Sequence, residues 1–363
     1  MLDYINPHLV VETSKLDAGK ITWKSPSNLA IIKYWGKYGR QLPKNPSISF
    51  TLNQAFTETT LEYFARPDVH DSPISLEFFF ENVPNEAFRK KVLSFLESIV
   101  DIFPFLKQLH FIIHSYNSFP HSSGIASSAS SMSALALCLC SLENLFFGTL
   151  ENKEEFLKKA SFVARLGSGS ASRSVYSTMV AWGESGEMEG SSDLFAIPFE
   201  DHINTVFKTF HDDILIVSKG EKSVSSRAGH SLMDGNIYAT NRYQQARQRL
   251  HHLLIALKTG DLDLFGNITE NEALTLHALM MTSSPSYLLM RPNTIKLIEI
   301  VRNFREETKL PLYFSLDAGP NLHLLYPDNV TEKVQSFIKS ELLRYCENNE
   351  FIADTAGSGP MKI

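Results

Sequence analysis

The sequence predicts a two-domain protein of mixed α and β structure. The chain has 363 residues, of which 43% are hydrophobic, and at ~100–200 residues per domain this length favours two cores. Stretches that alternate in polarity, typical of strands, are interspersed with stretches whose apolar residues recur at helical spacing. This pattern begins again beyond residue 200. We therefore place the boundary near residue 205, with domains at 1–205 and 206–363.

The first domain is predicted to combine long strands with two helices. Residues 86–103 place Phe88, Val92 and Phe95 on one side, as in an amphipathic helix. Residues 127–147 are apolar on most sides, which predicts a helix inside the core. The strands are expected at 21–36, 47–64, 73–80 and 109–117.

The second domain is predicted to repeat this alternation. Pro292 marks the start of one helix, in which Ile295, Ile298 and Val301 share a face. Strands are expected at 213–220, 312–316 and 322–327, and helices at 237–260, 267–281, 291–307 and 330–347.

Composition and charge exclude several classes of protein. The net charge is −6 and no segment is rich in Lys and Arg, so nucleic acid is not an expected partner. Three cysteines without metal-ligand or disulfide spacing indicate a reducing compartment. The N-terminal segment has neither the cationic start nor the apolar stretch of a signal peptide, and no run is judged to reach the ~18 apolar residues of a membrane span. We therefore expect a cytoplasmic protein with no membrane partner.

The segment PHSSGIASSAS, residues 120–130, is a glycine- and serine-rich loop directly before the predicted core helix. The first amide groups of a helix lack intrahelical partners and lie at the positive end of its dipole. Such a site binds anions, and serine hydroxyls beside it can reach a phosphate or a metal ion. The segment lacks the Gly-Lys-Ser/Thr ending of a common P-loop. A serine-rich helix cap is the alternative interpretation.

Two further segments carry polar groups suited to catalysis. In ARLGSGSASRSVY, Arg173 can make forked contacts with phosphate or carboxylate beside Ser168 and Ser170, unless it is a solvated arginine in a flexible turn. In YFSLDAGPNLHLLY, Asp317 ends a strand before a tight turn. Such a carboxylate is either a cap for its own turn or a general base held by rigid strands.

The fourth segment, NLAIIKYWGKYGR, is an apolar strand that ends in two lysines four residues apart. A buried strand ends in charged side chains where the chain emerges, so we expect Lys33 and Lys37 at the rim of a site. Further cations at Arg40 and Lys44 suit this loop to an anionic ligand. Two lysines that extend to solvent from a strand edge are the alternative.

Together, these four segments resemble signatures of the GHMP kinase superfamily and, within it, of the diphosphomevalonate decarboxylase family. The matching motifs are NLAIIKYWGK, GIASSAS, GSGSASRS and LDAGPN, with KSVSSRAGHS and NEALTLHALM as further similar stretches. The likeness runs from about residue 21 to residue 326. It implies an α+β fold with an N-terminal GHMP domain of the ribosomal-protein-like β-α-β type, a C-terminal ferredoxin-like domain, and an active site in the cleft between them.

The resemblance also implies a reaction. In this family ATP phosphorylates the tertiary 3-hydroxyl of (R)-5-diphosphomevalonate, and phosphate and CO2 then depart to leave isopentenyl diphosphate. ATP and Mg2+ are the implied cofactors. The implied partners are the small-molecule substrate and a second copy of the chain in a homodimer.

Residue roles follow from the same resemblance. Asp317 would orient or deprotonate the 3-hydroxyl, with Lys33 close to it, and Ser128 would contact the metal together with the ATP phosphates. The residues implied to bind substrate are Tyr34, Lys37, Ser168, Ser170, Arg173, Ser225 and Ser226. The residues implied to bind nucleotide are Ser123, Gly124, Ala126, Ser127 and Ser128.

Three alternative functions remain open at this point. A relative could act on the monophosphate, phosphorylate without decarboxylating, or bind a metabolite as a sensor without catalysis. Kinase-only relatives lose the aspartate and the first lysine, so Asp317 and Lys33 favour decarboxylation. Arg173 with Lys37 favours the diphosphate. One departure concerns the nucleotide, since His121-Ser122-Ser123 follow Pro120 where the family usually has Thr-Ala-Ala.

Overall fold

The computed structural model describes residues 4–66, 74–120, 124–220 and 223–363. Within these residues, the first half of the chain forms a large mixed sheet and the second half a smaller antiparallel sheet, with helices packed against both. This architecture confirms the predicted α+β class. The predicted boundary near residue 205 lies in the connection between the two sheets.

The large sheet is built around one long strand of the first half. The strands of this half are β1 (Gly19–Ala30), β2 (Lys37–Tyr38), β3 (Leu42–Pro43), β4 (Ser47–Ala65), β5 (Ser75–Phe80), β6 (Val83–Pro84), β7 (Leu109–Asn117), β8 (Met179–Trp182) and β9 (Ala196–Pro198). Strand β4 pairs antiparallel with β1, β7 and β8, whereas β5 and β7 run parallel. Strands β2 and β3 form a separate small hairpin just after β1.

Three helices cover this sheet: α1 (Glu86–Glu97), α2 (Ser127–Phe147) and α3 (Lys153–Gly167). The bounds of α2 match the predicted core helix. Contrary to the sequence expectation, α2 is long and apolar enough to pass for a membrane span by length and composition. However, 67% of that window is buried inside the protein, as expected for the core helix of a two-layer fold.

The second half forms a four-stranded sheet in the order β11, β12, β10, β13. Its strands are β10 (His211–Leu215), β11 (Tyr313–Ser315), β12 (Leu322–Tyr326) and β13 (Phe351–Ile352). Its helices are α4 (Ser226–Ser231), α5 (Ala239–Thr259), α6 (Leu262–Met281), α7 (Pro292–Thr308) and α8 (Thr331–Phe337). The predicted last helix is interrupted, because α8 passes into a π-helical turn at Ile338–Leu342.

The two halves share an aromatic core. Phe50 of β4 stacks on Phe210, and both rings contact Phe265 of α6. Tyr313 of β11 packs against Phe265 from the small sheet. Burial of each large aromatic ring contributes about 2–3 kcal/mol. The shared core therefore fixes how the two sheets face each other across the cleft.

Residues 354–363 connect the two sheets. Asp354 accepts the backbone N–H groups of residues 53, 54 and 55 at 2.7, 2.8 and 2.7 Å. These N–H groups lie where the β1–β4 register shifts between Pro26 and Asn28, which leaves them without a strand partner. The segment then ends as β14 (Met361–Lys362), which pairs with the free edge of β1.

Candidate active site

Lys33 and Asp317 form an ion pair in the cleft between the two sheets. Lys33 follows β1, Asp317 follows β11, and Lys33 Nζ lies 2.8 Å from Asp317 Oδ1. The Lys33 side chain is 3% exposed and that of Asp317 is 19% exposed. The prediction that Lys33 lies at a rim was therefore wrong, because the small sheet covers it and supplies its counter-charge. The Asp317 side chain is the more exposed member of the pair.

Asp317 is held by its backbone as well as by Lys33. His277 of α6 donates from Nε2 to the Asp317 carbonyl oxygen at 3.1 Å. Burial lowers the pKa of His277 to about 4, although the hydrogen bond to Asp317 opposes this shift. The imidazole is therefore neutral at pH 7 and adds no positive charge beside Lys33.

Tyr34 and Arg173 lie side by side next to this pair. The Tyr34 ring packs against Trp182 and stacks on His230, and the Arg173 guanidinium lies 5.5 Å from the Tyr34 ring centre. Burial raises the pKa of Tyr34 to about 12, with Arg173 and a hydrogen bond from Ser170 opposing it. The phenol is therefore a neutral hydrogen-bonding group at pH 7.

Arg173 is buried, yet it is held by neutral acceptors. Its three guanidinium nitrogens donate to Ser49 Oγ, Ser47 Oγ and Asn28 Oδ1 at 3.0, 2.8 and 3.1 Å. Burial lowers its pKa to about 10, while Tyr34 and Asp317 oppose that shift. Among the described residues, no carboxylate lies within ion-pair distance of Arg173. A buried guanidinium held by neutral acceptors is suited to an anionic ligand.

Lys37 lies further along the same loop and has a cation as its neighbour. Its ammonium donates to Gln41 Oε1 at 2.6 Å. Burial lowers the pKa of Lys37 to about 8, and the charge of Arg227 on α4 adds to the shift. Two neighbouring cations repel each other unless an anion lies between them. Lys37 and Arg227 therefore form a cationic surface suited to an anion, here called the Lys37–Arg227 patch.

Ser225 and Ser226 were predicted as site residues from KSVSSRAGHS, whereas Arg227 beside them was not. Ser225 is the N-cap of α4, where its Oγ accepts the Ala228 N–H at 3.2 Å. Ser226 begins the helix. The signal for Arg227 was available, because an arginine in a serine-rich helix start is as suited to phosphate as Arg173 is.

The α4 helix also packs against the loop that carries Lys33. His230 accepts the Gly36 N–H at Nδ1 and stacks between Tyr34 and Trp35. Trp35 is 5% exposed and packs among residues of α6. The buried indole therefore anchors the loop to α6.

The glycine-rich loop meets the turn of Asp317. Gly124 has φ +90°, and a Cβ there would lie 2.8 Å from the Gly319 Cα. Ala126, the N-cap of α2, is left-handed at φ 46° and offers no side-chain cap. The first amide groups of α2, which include those of Ser127 and Ser128, therefore have no N-cap side chain as acceptor and are suited to an anionic ligand.

A row of hydroxyls joins this loop to Tyr34. Ser128 Oγ lies 3.3 Å from Ser168 Oγ, and Ser168 Oγ lies 3.4 Å from Ser170 Oγ. Ser170 in turn hydrogen bonds to Tyr34. The structure thus brings together the four segments that the sequence singled out. Ser123, also chosen from the sequence, lies outside the described residues.

The donor set fits a magnesium ion bound through phosphates better than one held by the protein alone. Within the described part of the chain, no three His, Cys, Asp or Glu side chains come together as a metal site. Mg2+ commonly takes few protein ligands when substrate phosphates supply the rest. The exposed hydroxyl of Ser128, beside the α2 amides, is a suitable protein ligand of that kind.

Comparison with known proteins gives consistent relatives over both halves. Residues 25–195 match a family described as the diphosphomevalonate decarboxylase-like N-terminal domain. Residues 213–360 match the mevalonate 5-diphosphate decarboxylase C-terminal domain. The diphosphomevalonate decarboxylase of Debaryomyces hansenii is 28% identical over 325 residues, covering 86% of this chain and 81% of that protein.

Solved structures agree with these matches. A structure described as MDDEF in complex with MVAPP, AMPPCP and magnesium has a TM-score of 0.78 at 28% identity, covering 96% of this chain and 99% of that chain. The mevalonate diphosphate decarboxylase from Staphylococcus aureus has a TM-score of 0.78 at 26% identity, covering 97% and 100%.

Proposed function

The chain belongs to the diphosphomevalonate decarboxylase family, and we propose that it catalyses the ATP-dependent decarboxylation of (R)-5-diphosphomevalonate to isopentenyl diphosphate. The observation that carries the proposal is the 2.8 Å pair of Lys33 Nζ and Asp317 Oδ1. This pair lies beside Arg173, which has no carboxylate within ion-pair distance among the described residues. A carboxylate base next to a site for anions is what phosphorylation of a hydroxyl on an anionic substrate requires.

The first chemical step in this proposal is phosphoryl transfer. Asp317 orients the 3-hydroxyl and accepts its proton as the hydroxyl oxygen attacks the γ-phosphorus of ATP. The O–P bond to the substrate forms while the bond to ADP breaks. Lys33 offsets negative charge that develops on the oxygen.

The second step is elimination. The C3–O bond breaks and phosphate leaves with the electron pair. The electrons of the bond between C1 and C2 then form the C2–C3 double bond as CO2 departs. Phosphate and CO2 leave without a further proton transfer from the protein. The protein therefore has to hold the anions in place and exclude water around C3.

The anion-binding groups of the cleft fall into two sets, one for ATP and one for the substrate. The glycine-rich loop at Gly124 and the α2 amides would hold the ATP phosphates, and Ser128 would hold Mg2+, which neutralises phosphate charge when bound. Tyr34, Ser168, Ser170 and the Lys37–Arg227 patch would hold the substrate, with Ser225 and Ser226 beside it. Arg173 would bind an anionic group of the substrate.

The test is turnover of the purified protein with MgATP and 5-diphosphomevalonate, in which ADP and isopentenyl diphosphate are measured separately. We expect equal amounts of the two products. Asp317→Asn should lose both, by at least about 10³-fold in kcat, because the amide cannot accept the proton. Asp328→Asn is the matched control, since Asp328 is exposed at 72% and pairs only with His211 among the described contacts.

Other outcomes identify the alternative functions. ADP without the alkene product would make the protein a kinase. Product formed only from the 5-monophosphate would identify the monophosphate as the substrate. Binding of both ligands without turnover would identify a metabolite sensor.

We also propose that the protein works in the cytoplasm as a homodimer. Both expectations come from the sequence and the family resemblance. Light scattering on the purified protein measures the dimer directly, and fractionation of the source cells measures the compartment.

A further inference from the structure

The peptide groups on both sides of the Lys33 α-carbon are held by side chains from the second half of the chain. Glu272 Oε2 on α6 accepts the Lys33 N–H at 2.8 Å. Arg242 Nη2 on α5 donates to the Lys33 carbonyl oxygen at 2.7 Å. Arg242 also donates to Glu272 through both Nη atoms. The three groups therefore form a closed ring of hydrogen bonds, here called the Lys33 clamp.

The Lys33 clamp is deeply buried and carries full charges. The side chains of Arg242 and Glu272 are 2% and 0% exposed. Burial alone raises the pKa of Glu272, but the charges and hydrogen bonds of Arg242 and Arg249 outweigh it and hold the pKa below its usual range. Buried ion pairs of this kind give little net stability, because desolvation offsets most of the attraction. Their direct contact with Lys33 indicates a different role.

Helix α6 contacts both members of the catalytic pair. Glu272 binds the backbone N–H of Lys33, and His277 binds the backbone carbonyl of Asp317. Lys33 and Asp317 come from opposite halves of the chain, so their separation depends on how the two sheets meet. A single helix that binds both backbones therefore links the positions of the two residues.

We propose that Glu272, together with Arg242, is a positioning residue that fixes the Lys33 backbone and so sets the position of its ammonium group against Asp317. This inference rests on the proposed function, in which Lys33 and Asp317 act on the substrate. Displacement of a catalytic group by about 1 Å can cost 10²-fold in rate. Loss of the clamp should therefore slow the chemical step while leaving substrate binding intact.

The test compares Glu272→Gln with Arg249→Gln by two readouts. Arg249 donates to the same carboxylate at 2.8 Å and to Thr275, but it has no hydrogen bond to Lys33 in the described structure. The first readout is hydrogen exchange of the Lys33 amide. We expect at least about tenfold faster exchange in Glu272→Gln, with no change at Ile31 and Ile32, whose amides donate to the Ile48 carbonyl.

The second readout is a single-turnover rate with MgATP and 5-diphosphomevalonate, alongside the substrate Kd. Glu272→Gln should lower the rate about 10- to 100-fold and change Kd less than about threefold. Arg249→Gln should keep both values near wild type. Unchanged Lys33 exchange together with a wild-type rate in a folded Glu272→Gln protein would overturn the proposal.

A second variant covers the case in which Glu272→Gln does not fold. Arg242→Lys keeps the positive charge but cannot reach the Lys33 carbonyl and Glu272 at once, so the same two losses are expected. Normal exchange and rate in Arg242→Lys would then reject the clamp. Failure of the proposed function would be distinct, because wild-type protein itself would show no turnover while the exchange readout still responded to Glu272→Gln.

Discussion

Lys37 is a cation whose charge changes near pH 8. Its pKa is lowered to about 8, first by burial and then by Arg227. Below pH 8 the ammonium form dominates in the free protein, and above pH 8 the amine is neutral. An anion bound at the Lys37–Arg227 patch favours the ammonium form. Binding of that anion is therefore coupled to proton uptake above pH 8.

We predict that KM for the diphosphate substrate rises above pH 8, by up to about tenfold at pH 9, as Lys37 loses its proton. Lys37→Arg stays charged over this range, so its KM should be nearly flat. The measurement is KM from pH 7 to 9.5 for both proteins. Parallel curves would show that Lys37 does not bind the substrate's anionic group.

At the scale of residues, the sequence identified most of the side chains in the cleft but not their environments. Lys33 was expected at a rim, yet it is 2% exposed. The reason is that its cover comes from Asp317 and Glu272, which lie far away in the chain. Arg242 and Glu272 have ordinary helical positions in the sequence, and only the packing of α5 and α6 on Lys33 gives them a role.

At the scale of elements, the loop before α2 depends on a backbone conformation that residues with a side chain rarely adopt. Gly124 and Gly235 both have positive φ, at +90° and +79°. A Cβ at Gly124 would meet the Gly319 Cα at 2.8 Å, whereas a Cβ at Gly235 would meet no atom within 4 Å. Substitution of either glycine by alanine strains the backbone, but only substitution of Gly124 also produces a steric clash.

We predict that Gly124→Ala and Gly235→Ala each cost about 1–2 kcal/mol of backbone strain. Only Gly124→Ala should also displace the turn at Gly319, and we expect it to lower kcat/KM for ATP at least tenfold. Urea unfolding and steady-state kinetics of both variants measure the two effects. Equal kinetic losses in both would contradict a specific role for the loop.

Elements with long regular patterns were predictable, and short or irregular ones were not. The bounds of α2 and β4 agree closely with the sequence expectation because each carries one clear periodicity over many residues. Helix α3 was missed, although Asn152 before it caps its N-terminus and Phe156, Ala160 and Val163 fall at helical spacing. The last helix was predicted as continuous because a π-helical turn leaves no simple mark on the apolar pattern.

At the scale of the whole molecule, Asp354 links the two sheets at the start of the segment 354–363. The Asp354 side chain accepts three N–H groups from the irregular part of β4, and its own backbone carbonyl accepts the Asp212 N–H of β10. Asp354 is 1% exposed. Removal of the carboxylate would leave buried N–H groups without partners, which costs about 1–3 kcal/mol each.

We predict that Asp354→Ala lowers the free energy of unfolding by at least about 3 kcal/mol. Glu350→Ala, four residues earlier, should lower it by less than about 1 kcal/mol, because Glu350 makes an exposed ion pair with Lys219. Urea unfolding followed by tryptophan fluorescence measures both. Similar losses in the two variants would mean that Asp354 does not hold the sheets together.

The pairing of β14 with β1 also constrains how the protein is made. Trp23 and Lys24 emerge early from the ribosome, but their partners Lys362 and Met361 are among the last described residues to be translated. Until these residues are made, the first half of the chain has an unpaired edge at β1, and the irregular part of β4 lacks the Asp354 carboxylate. Exposed strand edges are sites of mispairing between chains, so slow translation of the second half should favour aggregation of the unfinished chain.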